Sequence, residues 1–453
     1  MKIIIAGCGK VGETIAKSLN KENHNITLID KDASKLKLIT DRIDVLGVEG
    51  NATSLAALAE AGIKGADLLI ATTDSDELNI LCCLLSKKAG AKHTIARIRD
   101  PQFADDVKYI RDELNLSLVI NPELAAAEEM ARILNFPSVN KIDTFVRGRV
   151  ELMNLVIPKD SELCGLRIAD MNRKLHCKVL ICIVERGEET VIPNGMYVLQ
   201  EGDKVSFIGQ SHKAVREFFK AAGVAVTNSI RSVMLIGGGK ISYYLAKKLE
   251  ETNISLKIID HDLERCRELS EALPTAIIIN GDGTDQQLLM EEGIGETDAI
   301  GALTGIDEEN IMLSLYASSM SNAKTLTKIN RITFEDVIGG MNLGSIINPK
   351  NITADSIISY VRAMSNSTKS TVETLYKLAG DKAEALEFRA REGSPLIGTP
   401  LMQLKFVSNV LIACLYRNGK LIMADGQSII EDGDAVIVVT TRSGLENLED
   451  ILA

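Results

Sequence analysis

The sequence predicts an α/β chain: two Rossmann-like parallel-sheet domains, each followed by a small α+β domain. Three observations predict it. One motif order occurs twice, over residues 1 to about 225 and 231 to 453, with the second copy displaced by about 230 positions. In each copy a short apolar run enters a glycine loop and then a helix-patterned segment, the opening of a βαβ unit. Farther on, the composition of each copy shifts to short β-like runs separated by turn signals.

Taken in order, the first copy opens Ile3-Ile4-Ile5-Ala6-Gly7-Cys8-Gly9-Lys10-Val11-Gly12, and the second opens Val233-Met234-Leu235-Ile236-Gly237-Gly238-Gly239-Lys240-Ile241-Ser242. The strands expected in copy one are Lys2 to Ala6, Ile26 to Asp30, Asp44 to Val48, Leu68 to Thr72 and Thr94 to Ile98. The later ones recur at Ser255 to Asp260, Ala276 to Ile279, Ala299 to Leu303 and Thr325 to Ile329, about 231 residues on. Behind each glycine loop the apolar positions Val11, Ile15 and Leu19, matched by Ile241, Leu245 and Leu249, fall four apart and mark the inward face of a helix. After the sheet, Val119-Ile120-Asn121-Pro122 leads into a helix from Glu123 to about Leu134, and Ile346-Ile347-Asn348-Pro349 into one ending near Met364. The first of these helices either bridges to a neighbouring domain or merely connects.

The remainder of each copy carries paired landmarks: Leu163-Cys164-Gly165 with Leu396-Ile397-Gly398, and Glu201-Gly202-Asp203 with Asp432-Gly433-Asp434. Asn194-Gly195 and Asp425-Gly426 predict hairpin turns ahead of the apolar strands Lys204 to Ile208 and Ala435 to Val439. The expected domains are 1–120, 140–225, 231–348 and 370–453, with a short linker, Val224 to Arg231, between the copies.

Composition narrows the function. The 51 basic and 62 acidic residues give a net charge of -11 with no basic run, which argues against a nucleic-acid partner. No stretch reaches the ~18 apolar residues of a spanning helix, and the apolar opening runs straight into a glycine loop without a signal-peptide pattern, so a cytoplasmic chain is expected. The eight cysteines lack C-x-x-C spacing and read as buried reduced thiols, and the five histidines never pair at ligand spacing, so no metal site is expected.

The chemistry lies in the glycine loops. A strand, G-x-G-x-x-G and a helix place backbone N–H groups and a positive helix end around a pyrophosphate. Gly7, Gly9 and Gly12 satisfy the pattern, and Asp30 ends the second strand, where its carboxylate can accept from both ribose hydroxyls and repel a 2′-phosphate. NAD(H) or an adenine nucleotide, ATP or ADP, is therefore expected in preference to NADP. In the second copy Gly237, Gly239 and Asp260 are kept and Ser242 replaces the third glycine, which leaves either a second site or a relic loop. Thr73, Asp74, Thr304 and Gly305 follow strands, where they are either ligand contacts or helix caps. Arg97 and Lys328 offer a cation to a phosphate or to a neighbouring domain, and Lys10 and Lys240 sit at helix N-termini, where an anion would offset their charge or solvent would. No general acid or base follows the repeat, so an NAD-dependent oxidoreductase is the disfavoured alternative and a non-catalytic chain the expectation.

With these motifs in tandem, IIIAGCGKVG, Asp30, Gly50-Asn51-Ala52-Thr53, TTDSDELN and IARIRDP, each set followed by a small β-rich module, the chain resembles the RCK or KTN family of gating domains. The order N, C, N, C is similar to the peripheral regulatory subunits of potassium uptake systems, and the resemblance covers essentially the whole chain. It implies RCK_C-type terminal modules, a homo-oligomer as a dimer or tetrameric ring, and a TrkH-like potassium channel or transporter partner. It also implies a place on the inner face of the membrane through that partner, with a sensor of a different transporter as the alternative. Carried over by motif, Gly7, Cys8, Gly9, Lys10, Val11, Gly12, Asp30, Thr73, Asp74 and Arg97 would contact the first nucleotide. Gly237, Gly238, Gly239, Lys240, Ile241, Asp260, Asp282, Leu303, Thr304 and Lys328 would contact the second, Asn51 standing where the family commonly has an acid such as Asp282.

Overall fold

The computed structural model describes residues 1–103, 107–135, 142–145, 150–175, 178–210, 212–223, 230–330, 341–366, 372–379 and 382–453. Cys177, His176 and most of the linker expected between the copies lie outside the described residues. The chain divides into two units, Met1–Leu134 with Ile230–Ile358, and Asn135–Ser229 with Ser359–Ala453.

The first unit holds two six-stranded parallel sheets. In copy one the strands run in the order Leu46–Glu49, Asn25–Asp30, Lys2–Ala6, Leu68–Ala71, His93–Arg97, Leu118–Ile120, and in copy two Ile277–Asn280, Ser255–Asp260, Ser232–Ile236, Ala299–Ala302, Lys324–Lys328, Ser345–Ile347. Strand order reverses on either side of the first strand, whose Ile3 pairs with Ile26 on one side and Leu68 on the other. A crevice opens at the carboxyl end of such a switch point, and each glycine loop leaves its sheet there. Ile3, Ile4 and Ile5 are fully buried because a central parallel strand is covered on both faces. The expected strands are present, Lys2–Ala6 and Ser255–Asp260 with the expected ends and the others with ends shifted by up to two residues. The sixth strand of each sheet was not foreseen: it is three residues long, shorter than any pattern that alternation can report.

The helix Pro122–Asn135 bridges rather than merely connects. Its Ala126, Ala127, Met130, Ile133 and Leu134 share one buried cluster with Val233, Ile241, Leu245 and Leu249 of the second copy. Small alanines let the helix approach closely, and Met130 fills the gap beside the inward face of the glycine-loop helix Lys240–Leu249.

The second unit holds two five-stranded sheets of the same topology. Copy one orders them Glu189–Val191, Val179–Arg186, Lys204–Gly209, Val150–Val156, Ile142–Phe145; copy two matches with Lys420–Met423, Val410–Arg417, Ala435–Thr440, Ala383–Arg389, Val372–Leu378. Val150, Leu152, Cys182 and Ile208 share a core with Ala383, Ala385, Cys414 and Val439, so this pair of modules packs as one body. The landmark aspartates are structural: Asp203 takes both Nε and Nη2 of Arg186 at 2.7 Å, and Asp434 repeats this with Arg417 at 2.8 and 2.7 Å. The expected hairpin turns need correction. Asn194 accepts the Met196 N–H, and Asp425 those of Gln427 and Ser428, in local turns that join no paired strands. The tight hairpins are at Gly187-Glu188 and at Asn418-Gly419, between the paired residues Arg417 and Lys420. Asn418 and Gly419 both have positive φ, 48° and 83°, which a two-residue turn requires to match strand twist.

Candidate functional site

Each glycine loop is shaped by its own backbone. Gly7 has φ 102° and Gly237 φ 103°, and both lie so close to the strand beside them that a Cβ would come within 2.8 Å of Thr72 or Leu303. The Gly7 N–H donates to Ile29 O at 2.8 Å and Gly237 to Ile259 O at 2.8 Å. The acid at the end of the second strand braces the loop: Asp30 Oδ2 accepts the Cys8 N–H at 2.6 Å and Oδ1 that of Asp32 at 3.0 Å. Asp260 repeats this with Gly238 at 2.5 Å and Asp262 at 2.8 Å. Burial, with the Asp30 charge second, pushes the Cys8 thiol up to about 12, which leaves it protonated and inert as a nucleophile.

The helices that follow, Lys10–Lys21 and Lys240–Leu249, start at Gly9 and Gly239 with no side-chain cap. Elsewhere in the same sheets Asp32, Ser75, Asp262 and Asp285 cap their helices. The helices Leu55–Glu60 and Asp307–Met320 also start without a side-chain cap, but at Gly9 and Gly239 the bare N-termini meet a glycine loop, where backbone N–H groups can receive an anion from outside the chain.

The copies differ at the third glycine. A Cβ on Gly12 would lie 2.0 Å from Gly7 O. Ser242 occupies the matching position, fully buried, and its hydroxyl donates to Gly237 O at 2.5 Å, so the second loop stands off its helix far enough to admit a side chain. Arg265 Nε also donates to Gly238 O at 2.7 Å, whereas its counterpart Lys35 lies 3.7 Å from Asp32.

At the end of the fourth strand, Asn79 holds the turn. Fully buried, it accepts from Thr73 N–H and Oγ1 at 2.7 Å and donates to Arg97 O at 2.9 Å. Asn310 does the same for Thr304 N–H, at 2.8 Å, and Lys328 O, at 3.0 Å. Arg97 donates to Thr73 O and Lys328 Nζ to Thr304 O at 2.8 Å, and burial lowers the pKa of both. Neither fulfils the expectation of a salt bridge to a neighbouring domain among the described residues. Asp282 and Asn51 serve the same local turn, accepting from Thr284 and Thr53 through one oxygen, which either residue supplies.

Both loops open into one cleft of about 660 Å³. Cys8, Gly9, Lys10, Val11, Asp74 and Arg97 line it from the first copy, and Gly239, Lys240, Ile241, Leu303 and Lys328 from the second. Gly7, Gly12, Asp30, Thr73, Gly237, Gly238, Asp260, Asp282 and Thr304 do not line it; most shape the loops beneath. Residues not singled out from the sequence also line it: Lys35, Arg99, Glu123, Asn330 and Lys350. The alternation in Arg97-Ile98-Arg99 was the available signal for Arg99, since residues two apart on an extended segment share a side. The cleft presents seven cations, Lys10, Lys35, Arg97, Arg99, Lys240, Lys328 and Lys350, against Glu13, Asp74 and Glu123, in a chain that is acidic as a whole. Two of those cations are largely buried, and Arg97 Nε is without a partner, a cost that an anionic ligand would offset. The residues present therefore fit a nucleotide's phosphates.

Comparison with known proteins follows the same division. The TrkA-N domain family matches residues 3–122 and 233–349, and the TrkA-C domain family residues 152–222 and 385–453. A Trk system potassium uptake protein TrkA homolog 1 from Methanosarcina mazei is 33% identical over 99% of this chain and 99% of its own. A homolog from Archaeoglobus fulgidus is 31% identical over 100% of both chains. Among solved structures, that of the GsuK channel bound to NAD has a TM-score of 0.62 at 16% identity, covering 97% of this chain and 76% of the channel chain.

Proposed function

Because this chain belongs to the TrkA family and carries its TrkA-N and TrkA-C domains twice over, we propose that it is the nucleotide-binding regulatory subunit of a membrane potassium transport system. It binds NAD(H) or ATP/ADP in its two glycine loops, gates a TrkH-like channel or transporter subunit, and catalyses no reaction. The relatives named as potassium uptake proteins support the transport role. The observation that carries nucleotide binding is the basic cleft that receives both uncapped helix N-termini.

The chain works as nucleotide folds 1–120 and 231–348 with terminal modules 140–225 and 370–453, assembled as a dimer or tetrameric ring on the cytoplasmic face of the membrane. Its first ligand rests on Gly7 to Gly12, with Asp30 on the ribose and Thr73, Asp74 and Arg97 at the crevice. Its second rests on Gly237 to Ile241, with Asp260, Asp282, Leu303, Thr304 and Lys328. A ligand shifts a two-state assembly only through its difference in affinity between the states. Residues of both copies line one cleft, so phosphate charge added at either loop acts on both copies, and any motion that changes their spacing changes that affinity.

Calorimetric titration of the full chain with NADH, NAD+, ATP and ADP tests this reading: saturable binding of at least one is expected, and no binding of any contradicts it. In the same experiment Lys10→Ala is expected to weaken ATP about tenfold and NADH by less than about threefold, because the lysine at the helix end faces a terminal phosphate. Equal losses would remove the phosphate role of Lys10.

A further inference from the structure

The two loops share a backbone design but not an electrostatic setting, and one of the differences is a residue of the first copy that reaches the second loop's helix. Asp100 follows the fifth strand, where its N–H donates to the buried Asp76 at 2.8 Å and its Oδ1 accepts the Gln102 N–H at 3.0 Å. Its remaining oxygen, Oδ2, lies 3.1 Å from Lys240 Nζ, on the first residue of the second copy's glycine-loop helix. One turn further along that helix, the Tyr244 hydroxyl donates to the carbonyl of Arg99 at 3.0 Å and accepts from Asn121 at 3.0 Å. The Arg99-Asp100 segment is thus docked on the start of the second helix at two points, and its carboxylate is paired with the side chain of that helix's first residue. The Gln102 N–H first, then Lys240 and Arg265, hold the Asp100 carboxyl below the usual carboxylate range against an opposing effect of burial, so it is ionised at neutral pH.

At the first loop the acid in the helix's first turn, Glu13, is paired with Lys17 at 2.6 Å and not with the loop lysine. Lys10, the equivalent lysine, is exposed and forms no ion pair among the described residues. In the sequence, the position matching Asp100 is Arg331, opposite in charge.

We propose that Asp100 is a built-in anion of the second glycine loop that sets its phosphate preference, so that the first loop takes a nucleoside triphosphate and the second a ligand without a terminal phosphate, such as a dinucleotide. This rests on the reading that the glycine loops bind nucleotides. The pair is 38% exposed on both sides, so it adds little to stability. Its effect is on the incoming ligand: a fixed negative charge several ångströms from a terminal phosphate lowers affinity about tenfold for each added ligand charge, at the dielectric of a half-open cleft. The same lysine also cannot serve a phosphate while it serves Asp100.

The test uses the full chain with Asp30→Ala, which removes the first loop's ribose acceptor, titrated with ATP, ADP and NADH before and after Asp100→Asn. Asparagine keeps the oxygen that accepts from Gln102. ATP affinity at the second loop is expected to rise about tenfold, ADP by less, and NADH to stay within about twofold. Lys240→Gln in the same background is expected to lower ATP affinity, a reversal of sign that a merely structural pair would not give. With Asp260→Ala in place of Asp30→Ala, Asp100→Asn is expected to leave ATP binding at the first loop within about twofold. Unchanged or weakened ATP binding at the second loop, or an equal gain at the first, would overturn the inference alone. Failure of the unmodified chain to bind any nucleotide would overturn it together with the function on which it rests.

Discussion

Asp30→Ala is expected to reduce the affinity of the first loop for NADH and ATP by about a hundredfold, the largest binding effect of any single change at that loop. Two losses combine. In the proposed function the carboxylate accepts from the ribose hydroxyls, and a ligand group held by a charged acceptor loses about 1.5–3 kcal/mol when that acceptor goes. The same carboxylate also braces the loop through the Cys8 and Asp32 N–H groups at 2.6 and 3.0 Å. Without it, the amides that should face the pyrophosphate are no longer held in place. Asp30→Asn separates the contributions: one amide oxygen still accepts from Cys8, the charge is gone, and affinity should fall by about tenfold. Calorimetry on the full chain reads both. A loss below about threefold in the alanine variant would mean that the ribose lies elsewhere.

Met130→Asp is expected to destabilise the first unit by about 3–5 kcal/mol, since it buries a carboxylate with no partner. Met130 is fully buried in a cluster with Ile241, Leu245 and Leu249, so the charge would fall on the inward face of the helix that starts at the second glycine loop. Melting should fall by about 10 °C, and ligand binding at the second loop should weaken with it, because Ile241 also lines the cleft. Met130→Leu, which conserves volume, should cost less than about 1.5 kcal/mol. If the aspartate variant melted like the unmodified chain, the helix Pro122–Asn135 would be a connector and the two nucleotide folds would be coupled by other means.

What was legible in the sequence was what local rules control. The strands entering the glycine loops, the helices behind those loops and the acids at positions 30 and 260 follow from short-range backbone geometry, and the structure has each of them. The hairpins were misread because Asn194-Gly195 has the right composition without flanking paired strands, whereas Asn418-Gly419 has both. The sharing of one cleft by both loops could not be seen, because Asp100 and Lys240 are 140 residues apart and nothing local to either announces the other. Glu123 and Lys350 each follow the proline that opens the helix after the sixth strand, and were read only as helix starts; Arg99 had the local signal of its alternation with Arg97 and was passed over. The buried Asn79 and Asn310 stand at matching places in the two repeats, six residues after Thr73 and Thr304, and the hydrogen bonds show that they set the turn the threonines occupy.

The most direct test of the account is potassium flux through vesicles holding the TrkH-like partner with this chain bound, measured with and without saturating NADH, NAD+, ATP or ADP. The account predicts that at least one nucleotide changes flux several-fold, and that the response disappears when Asp30→Ala and Asp260→Ala are combined. Flux indifferent to every nucleotide, or a full response in the doubly substituted chain, would contradict it.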